Sequence, residues 1–154
     1  MLCLHKPSDM IVASPRAQFG LPEAKRGLFA GAGGLSRLVR LVGLNIASEV
    51  ALCGRTLDAD EAVRYGIANR KARSHDTVVA EAVQLAEQIA DLSPDAIIIT
   101  RSGLREALET ASVERASQIT QERFGRALQE SPNLMIGLMA FAQKKKPQWV
   151  PSKL

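Results

Sequence analysis

The sequence predicts an α/β protein that begins with short strands and ends in a long helical part. Short apolar runs bounded by turn residues punctuate the first part of the chain. From Ser74 onward, apolar residues recur instead at helical spacing. The length of 154 residues fits one domain with a substantial core. We therefore expect a single domain, with a β/α part over residues 1–72 and a helical part over residues 73–154.

Three short strands are expected in the first part. Met10–Ala13 is a β-branched and apolar run that Ser14-Pro15 ends, which is typical of a buried strand. Gln18-Phe19 can form a second strand. Ile67–Lys71 can return as a third, after the helix that precedes it.

Helices are expected between these strands. One runs to Gly43, a second covers Ile46–Leu52, and a third begins with the capping-box pair Asp58 and Glu61 and stops at Gly66. The first of them carries apolar residues at helical spacing, namely Leu35, Leu38, Val39 and Val42.

The second part of the chain is predicted to be helical throughout. Ser93-Pro94 and Ser131-Pro132 each mark a helix start. Ala111–Gln129 carries charges on most faces, as an exposed helix does. The other helices have apolar faces formed by Val79, Val83, Ala86 and Ile89, by Ile97, Leu104 and Leu108, and by Leu134, Leu138 and Phe141.

Composition narrows the functional classes. The chain carries 20 basic and 16 acidic residues, a net charge of +4, but only one tyrosine and one tryptophan. Because the charges are dispersed and no aromatic stacking platform is visible, we expect no nucleic-acid partner; salt-dependent retention on RNA or DNA would contradict this. The basic balance also suits a ligand with several phosphates.

Cysteine, histidine and hydropathy patterns give further expectations. Cys3 and Cys53 are too few for a disulfide framework, and we interpret both as small apolar residues. His5 and His75 lack a paired ligand pattern, so no metal site is expected. No apolar run reaches transmembrane length, and no membrane partner is expected.

One carboxylate beside a glycine-dense turn is the strongest sign of a site. Pro22 fixes its own φ and pushes Leu21 towards extended geometry, so Glu23 should lie at a rigid corner where a strand ends. Glycines then permit close backbone approaches, at Gly31, Gly33 and Gly34. The alternative is a solvated turn carboxylate, or an ion-pair partner of Lys25 or Arg26.

Three ordered motifs resemble the crotonase, or enoyl-CoA hydratase/isomerase, superfamily. They are Phe19-Gly-Leu-Pro-Glu23 with the following Gly-Ala-Gly-Gly-Leu-Ser-Arg-Leu, the segment Cys53–Asn69, and the ending Gly137–Pro147. The resemblance runs from about Asp9 to the C-terminus. It implies a partial crotonase (ClpP/crotonase-like) spiral fold, truncated at the N-terminus, with a C-terminal helical trimerisation subdomain and a trimeric or hexameric assembly.

The resemblance also implies an enzymatic role on an acyl-CoA thioester, without another cofactor. Glu23 matches the family's acid/base residue. The family's two oxyanion-hole amides have no counterpart in residues 1–8, and its second glutamate would fall near Cys3. Loss of one such donor typically costs about 10²–10³ in rate, so this chain alone is expected to hydrate crotonyl-CoA negligibly. Hydratase and isomerase chemistry both stay open, as does a catalytically impaired paralogue that associates with full-length crotonases.

Two residues further on match weaker positions of the family. Lys144 aligns with a lysine that approaches the adenine and phosphate region of coenzyme A, and Phe124 lies near the aromatic residue that packs on adenine. The alternatives are a solvated helix end for Lys144 and a core position for Phe124. Arg37 can hold a carboxylate or cap a helix, and we assign it a structural role.

The terminal tripeptide Ser152, Lys153 and Leu154 is the signal that the peroxisomal import receptor reads. The alternative is a frayed C-terminal tail that happens to end in these three residues. We therefore expect a peroxisomal protein that acts on an unsaturated acyl-CoA, in fatty-acid β-oxidation or in supply of an acyl side chain for a specialised metabolite.

Overall fold

The computed structural model describes residues 8–154, in which short strands and helices alternate before a run of helices. The strands are β1 (Val12–Ala13), β2 (Phe19–Gly20), β3 (Thr56–Leu57) and β4 (Arg70–Lys71). The helices are α1 (Gly34–Leu52), α2 (Ala59–Arg64), α3 (Val78–Ala90), α4 (Pro94–Thr110), α5 (Val113–Gln129) and α6 (Pro132–Ala142), and a 3-10 turn spans Glu23–Arg26. Within the described part, no helix is long and apolar enough to cross a lipid bilayer.

The chain forms two compact units, and the border between them lies inside α3. The first unit ends at Gln84, and the second spans Leu85–Leu154. The strands end earlier, at Lys71, beside the border between residues 72 and 73 that the sequence suggests.

Two pairs of strands organise the first unit. β1 pairs with β4 in parallel, with Val12 opposite Arg70, and β2 pairs with β3 in antiparallel fashion, with Phe19 opposite Leu57. The three predicted strands are present as β1, β2 and β4. The strand β3 was not predicted, because its two residues show no alternation and lead directly into the cap of α2.

A glycine divides α1 into two helical segments. Gly43 has φ 76° and ψ 167°, which interrupts the helix between the two segments that the sequence predicts. Leu38 and Val50, one in each segment, are completely buried and pack into a shared core. Leu35 and Val39 are exposed, so the predicted apolar face is only partly covered. Cys53 is an exposed C-cap rather than a core residue.

Capping residues fix the remaining helices where the sequence predicts them. Asp58 and Glu61 form the reciprocal capping box of α2, and Gly66 follows its end with φ 74°. In the second unit, Ser93 and Ser131 cap α4 and α6, and a proline occupies the first turn of each. The charged helix α5 begins at Val113, because Ala111 adopts a left-handed conformation that separates it from α4.

Several helices keep apolar faces exposed. Val79 and Val83 of α3 are exposed, as are Leu104 and Leu108 of α4. The predicted periodicity is therefore present, but the described residues leave these faces without full cover.

Candidate functional site

Glu23 lies at the corner that its sequence context predicts. β2 ends at Gly20, and Pro22, with φ −83° and ψ 7°, caps the 3-10 turn that Glu23 begins. The Glu23 side chain is half-buried, and its Oε2 atom is buried. The carboxylate is therefore held in the protein surface rather than on a solvated helix face. Its catalytic role stays a prediction.

Backbone hydrogen bonds close this turn on itself. The Lys25 amide donates to the Pro22 carbonyl at 3.1 Å, and the Leu28 amide donates to the Glu23 carbonyl at 3.0 Å. Gly27 ends the turn with φ 68°, a left-handed backbone conformation that residues other than glycine rarely adopt. These bonds fix the backbone on both sides of Glu23.

Close packing against the segment 54–57 fixes the turn from the other side. A Cβ at Gly20 would lie 3.1 Å from the carbonyl oxygen of Arg55, so β2 approaches β3 closely. The Lys25 stem crosses Gly54, where a Cβ would lie 2.5 Å from the Lys25 Cε. The Arg55 guanidinium then bonds Glu49 at 3.1 Å and also pairs with Glu61, which ties the segment to α1 and α2.

The glycine cluster forms the start of α1. Gly33 is the N-cap, with φ 84°, and Gly34 is the buried first residue of the helix. Gly33 and Gly34 therefore form the start of a helix. The Arg37 side chain lies over Gly33, where a Cβ would be 3.4 Å from the guanidinium.

The two residues that resemble coenzyme A contacts lie in the second unit. Phe124 is half-buried on α5, and the Arg123 guanidinium lies 5.0 Å from its ring centroid. Lys144 is exposed just after α6, with φ 53°, and its amide donates to the Phe141 carbonyl at 3.1 Å. Their contact with coenzyme A stays a prediction. Cys3 and His5 lie outside the described residues.

Sequence reasoning missed a buried polar cluster in the second unit. Asp95 and Asn133 are 1% and 2% exposed, and the Asn133 amide donates to the Asp95 carboxylate at 2.8 Å. Each follows a predicted Ser-Pro cap, where a polar residue is ordinarily assigned to the solvated first turn. Capping accounts for both local patterns, so neither pattern indicates a buried polar pair. The C-terminal Ser152 is half-buried beside this cluster, whereas Lys153 is exposed.

Comparisons with known proteins give one consistent result. The family model described as enoyl-CoA hydratase/isomerase matches residues 2–152. The mevalonyl-coenzyme A hydratase sidH of Aspergillus fumigatus is 44% identical over 146 residues, and the SIDH protein of Beauveria bassiana is 41% identical over 147. The alignments cover 95% and 96% of this chain, but 54% and 52% of those proteins.

Solved structures show the same partial match. An enoyl-CoA hydratase subunit from Geobacillus kaustophilus superposes with a TM-score of 0.85 at 33% identity. The superposition covers 92% of this chain and 54% of that one. The chain thus spans about half the length of the relatives that it matches.

Proposed function

Because the chain belongs to the enoyl-CoA hydratase/isomerase family and has a partial crotonase-like α/β fold, we propose that it provides the acid–base carboxylate of an acyl-CoA hydratase. The placement of Glu23 carries this proposal. Its carboxylate is half-buried after β2, and both flanking backbone segments are fixed by hydrogen bonds. A fixed, partly desolvated carboxylate is suited to proton transfer.

Hydration and dehydration of an acyl-CoA thioester require a group that can both donate and accept a proton. Hydration of an enoyl thioester forms a C–O bond at C3 and a C–H bond at C2, and consumes one water. Dehydration reverses these steps: the C2 proton leaves, the C3 hydroxyl departs, and water is released. We assign to Glu23 the proton exchanged at C2, next to the thioester carbonyl.

A branched hydroxyacyl thioester is the proposed substrate class. The two fungal relatives, at 44% and 41% identity, are both named mevalonyl-coenzyme A hydratases. Their names support mevalonyl-coenzyme A as the first substrate to test. Isomerase chemistry is the nearest alternative, because a single acid at the Glu23 position can move a double bond by returning the proton to a different carbon.

A chimera tests the proposed activity. The resemblance implies that the missing part of the family domain is its N-terminal half, and the alignment covers 54% of the A. fumigatus relative. The N-terminal half of that relative is therefore joined ahead of Asp9. We expect the chimera to interconvert mevalonyl-coenzyme A and its dehydrated product, and to process crotonyl-CoA more slowly. Movement of a double bond without uptake of water would favour the isomerase. A folded chimera inactive on both substrates would contradict the proposal.

Assembly with full-length family members is the second candidate function. Large apolar side chains are exposed in both units, for example Leu52 at 79% and Phe141 at 87%. Such side chains pack at protein interfaces, which supports trimers or hexamers. Co-purification with a full-length crotonase, together with an inactive chimera, would favour this candidate. A sharp monomer peak in sedimentation velocity would count against it.

We further propose that the chain is peroxisomal. Ser152, Lys153 and Leu154 have the sequence of the peroxisomal import signal. Lys153 is exposed, and Leu154 is 38% exposed.

A further inference from the structure

The buried pair Asp95 and Asn133 holds the segment that follows α6. Burial of polar groups is costly unless they are hydrogen-bonded, and Asn133 uses both ends of its amide. Its Nδ2 donates to Asp95 and, at 2.9 Å, to the Val150 carbonyl, while its Oδ1 accepts the Val150 amide at 3.0 Å. The Val150 backbone is thus paired on both sides, as in a strand ladder. Ser131 also donates its hydroxyl to Asp95.

Trp149 anchors the same segment. Its indole N–H donates to the Asp91 carbonyl at 2.9 Å, and its ring covers Gly137, where a Cβ would lie 3.1 Å from the ring. Lys146 pairs with the Asp91 carboxylate at 3.1 Å, although both side chains are exposed and the pair adds little. We call Asp95, Asn133 and Trp149 with their partners the tail clamp.

The terminal tripeptide begins two residues after Val150, which the tail clamp holds. The Leu154 amide donates to the Ser152 Oγ at 3.1 Å, so the tripeptide folds back on itself. Burial alone would raise the pKa of the Asp95 carboxyl, but hydrogen bonds from Ser131, Ser152 and Asn133 outweigh it and leave that pKa below its usual value. Ser152 itself is half-buried.

We propose that the tail clamp masks the import signal, so that docking of the tail and capture by the import receptor exclude each other. This inference rests on the proposed peroxisomal signal. A receptor that binds the extended tripeptide must open the bond between Ser152 and Leu154 and must free the adjoining Val150 backbone from the Asn133 amide. The apparent affinity for the receptor then falls in proportion to the fraction of chains with a released tail.

The test compares the full chain with its own tail. The peptide-binding domain of a peroxisomal import receptor is titrated with the 154-residue chain and with a synthetic peptide of residues 145–154. We expect the full chain to bind about tenfold more weakly than the peptide, the ratio set by the docked fraction. Equal affinities would overturn the clamp. A peptide that does not bind would overturn the import signal and the clamp with it.

Two variants separate release from unfolding. Asp95→Asn keeps the shape of the side chain but removes its charge. Val150→Pro removes the backbone N–H that donates to the Asn133 Oδ1. Both variants should bind the receptor domain with an affinity within about twofold of that of the matching peptide. Glu130→Gln, in an exposed ion pair with Arg126, is the control and should bind as the unchanged chain does. Slow amide exchange at Val150 in the unchanged chain should become fast in Asp95→Asn. Variants that stay folded and bind no more tightly would overturn the proposal.

Discussion

Gly33 shows how one backbone conformation shapes the segment after Glu23. It has φ 84° at the N-cap of α1, whereas a Cβ there would only come into contact with the flexible Arg37 guanidinium, at 3.4 Å. We expect Gly33→Ala to destabilise the fold by about 1–2 kcal/mol, the cost of a left-handed conformation for a residue with a Cβ. The free energy of unfolding in urea measures the change.

Gly103→Ala is the matched control for this change. Gly103 lies inside α4, and a Cβ there would be 3.5 Å from the Thr120 Oγ1, an ordinary contact. Alanine in a helix interior is favoured over glycine by roughly 0.5–1 kcal/mol, so this variant should be more stable. Equal destabilisation of both variants would contradict the account of Gly33.

The corner at Glu23 could be predicted because it depends on local covalent geometry. Pro22 and the glycines restrict or free their own dihedral angles wherever they occur. The roles of Asp95 and Asn133 could not be predicted in this way. Asn133 is bonded to Asp95, 38 residues earlier, and to Val150, 17 residues later, and no local pattern records either pairing.

At the scale of elements, the first turn of α3 depends on one carboxylate. A hydrogen bond from the Thr77 hydroxyl, at 2.6 Å, and one from the Arg73 amide, at 3.0 Å, lower the pKa of the Glu81 carboxyl. The stabilisation that Glu81 provides is therefore present above its ordinary pKa, about 4.3. It is lost as the pH falls through the lower pKa of the folded state.

Glu81→Gln tests this dependence. The variant should melt below the unchanged chain at pH 7, and the difference should shrink as the pH falls below about 4. Glu87→Gln, an exposed glutamate on the same helix, serves as control. A deficit in melting temperature for Glu81→Gln that is the same at pH 7 and pH 3 would show that the charge of Glu81 is not what holds this turn.

Helix starts could be predicted better than helix faces. The caps at Asp58, Ser93 and Ser131 act within one turn, and all three hold. Periodicity also predicts apolar faces on α3 and α4, yet it cannot say what covers them. In this chain those faces are largely exposed, since cover depends on segments that local patterns do not describe.

At the scale of the whole molecule, the terminal tripeptide sets the expected location. A fluorescent protein fused to the N-terminus should form puncta that overlap a peroxisomal marker. Removal of Leu154 should return the fusion to the cytosol, because the signal is read at the chain end. A diffuse signal from the intact fusion would argue against import, whereas slow import that Asp95→Asn accelerates would fit a masked signal.

The chain spans only part of the family domain, and its activity has to be tested with that in view. This chain aligns with 54% of the A. fumigatus relative, so its carboxylate must be tested with the remaining part of the domain present. The fold of each unit follows from strand pairing, caps and packing within that unit. We expect the proposed chemistry to require the remaining part of the domain as well.

Turnover of the chimera with Glu23→Gln is the most direct test of the central claim. Glutamine keeps the size of the side chain but cannot exchange a proton, so kcat on mevalonyl-coenzyme A should fall at least about 100-fold, with a small change in KM. Glu130→Gln, at the exposed C-cap of α5, should leave kcat unchanged. A chimera that keeps its full kcat after Glu23→Gln would show that another residue transfers the proton.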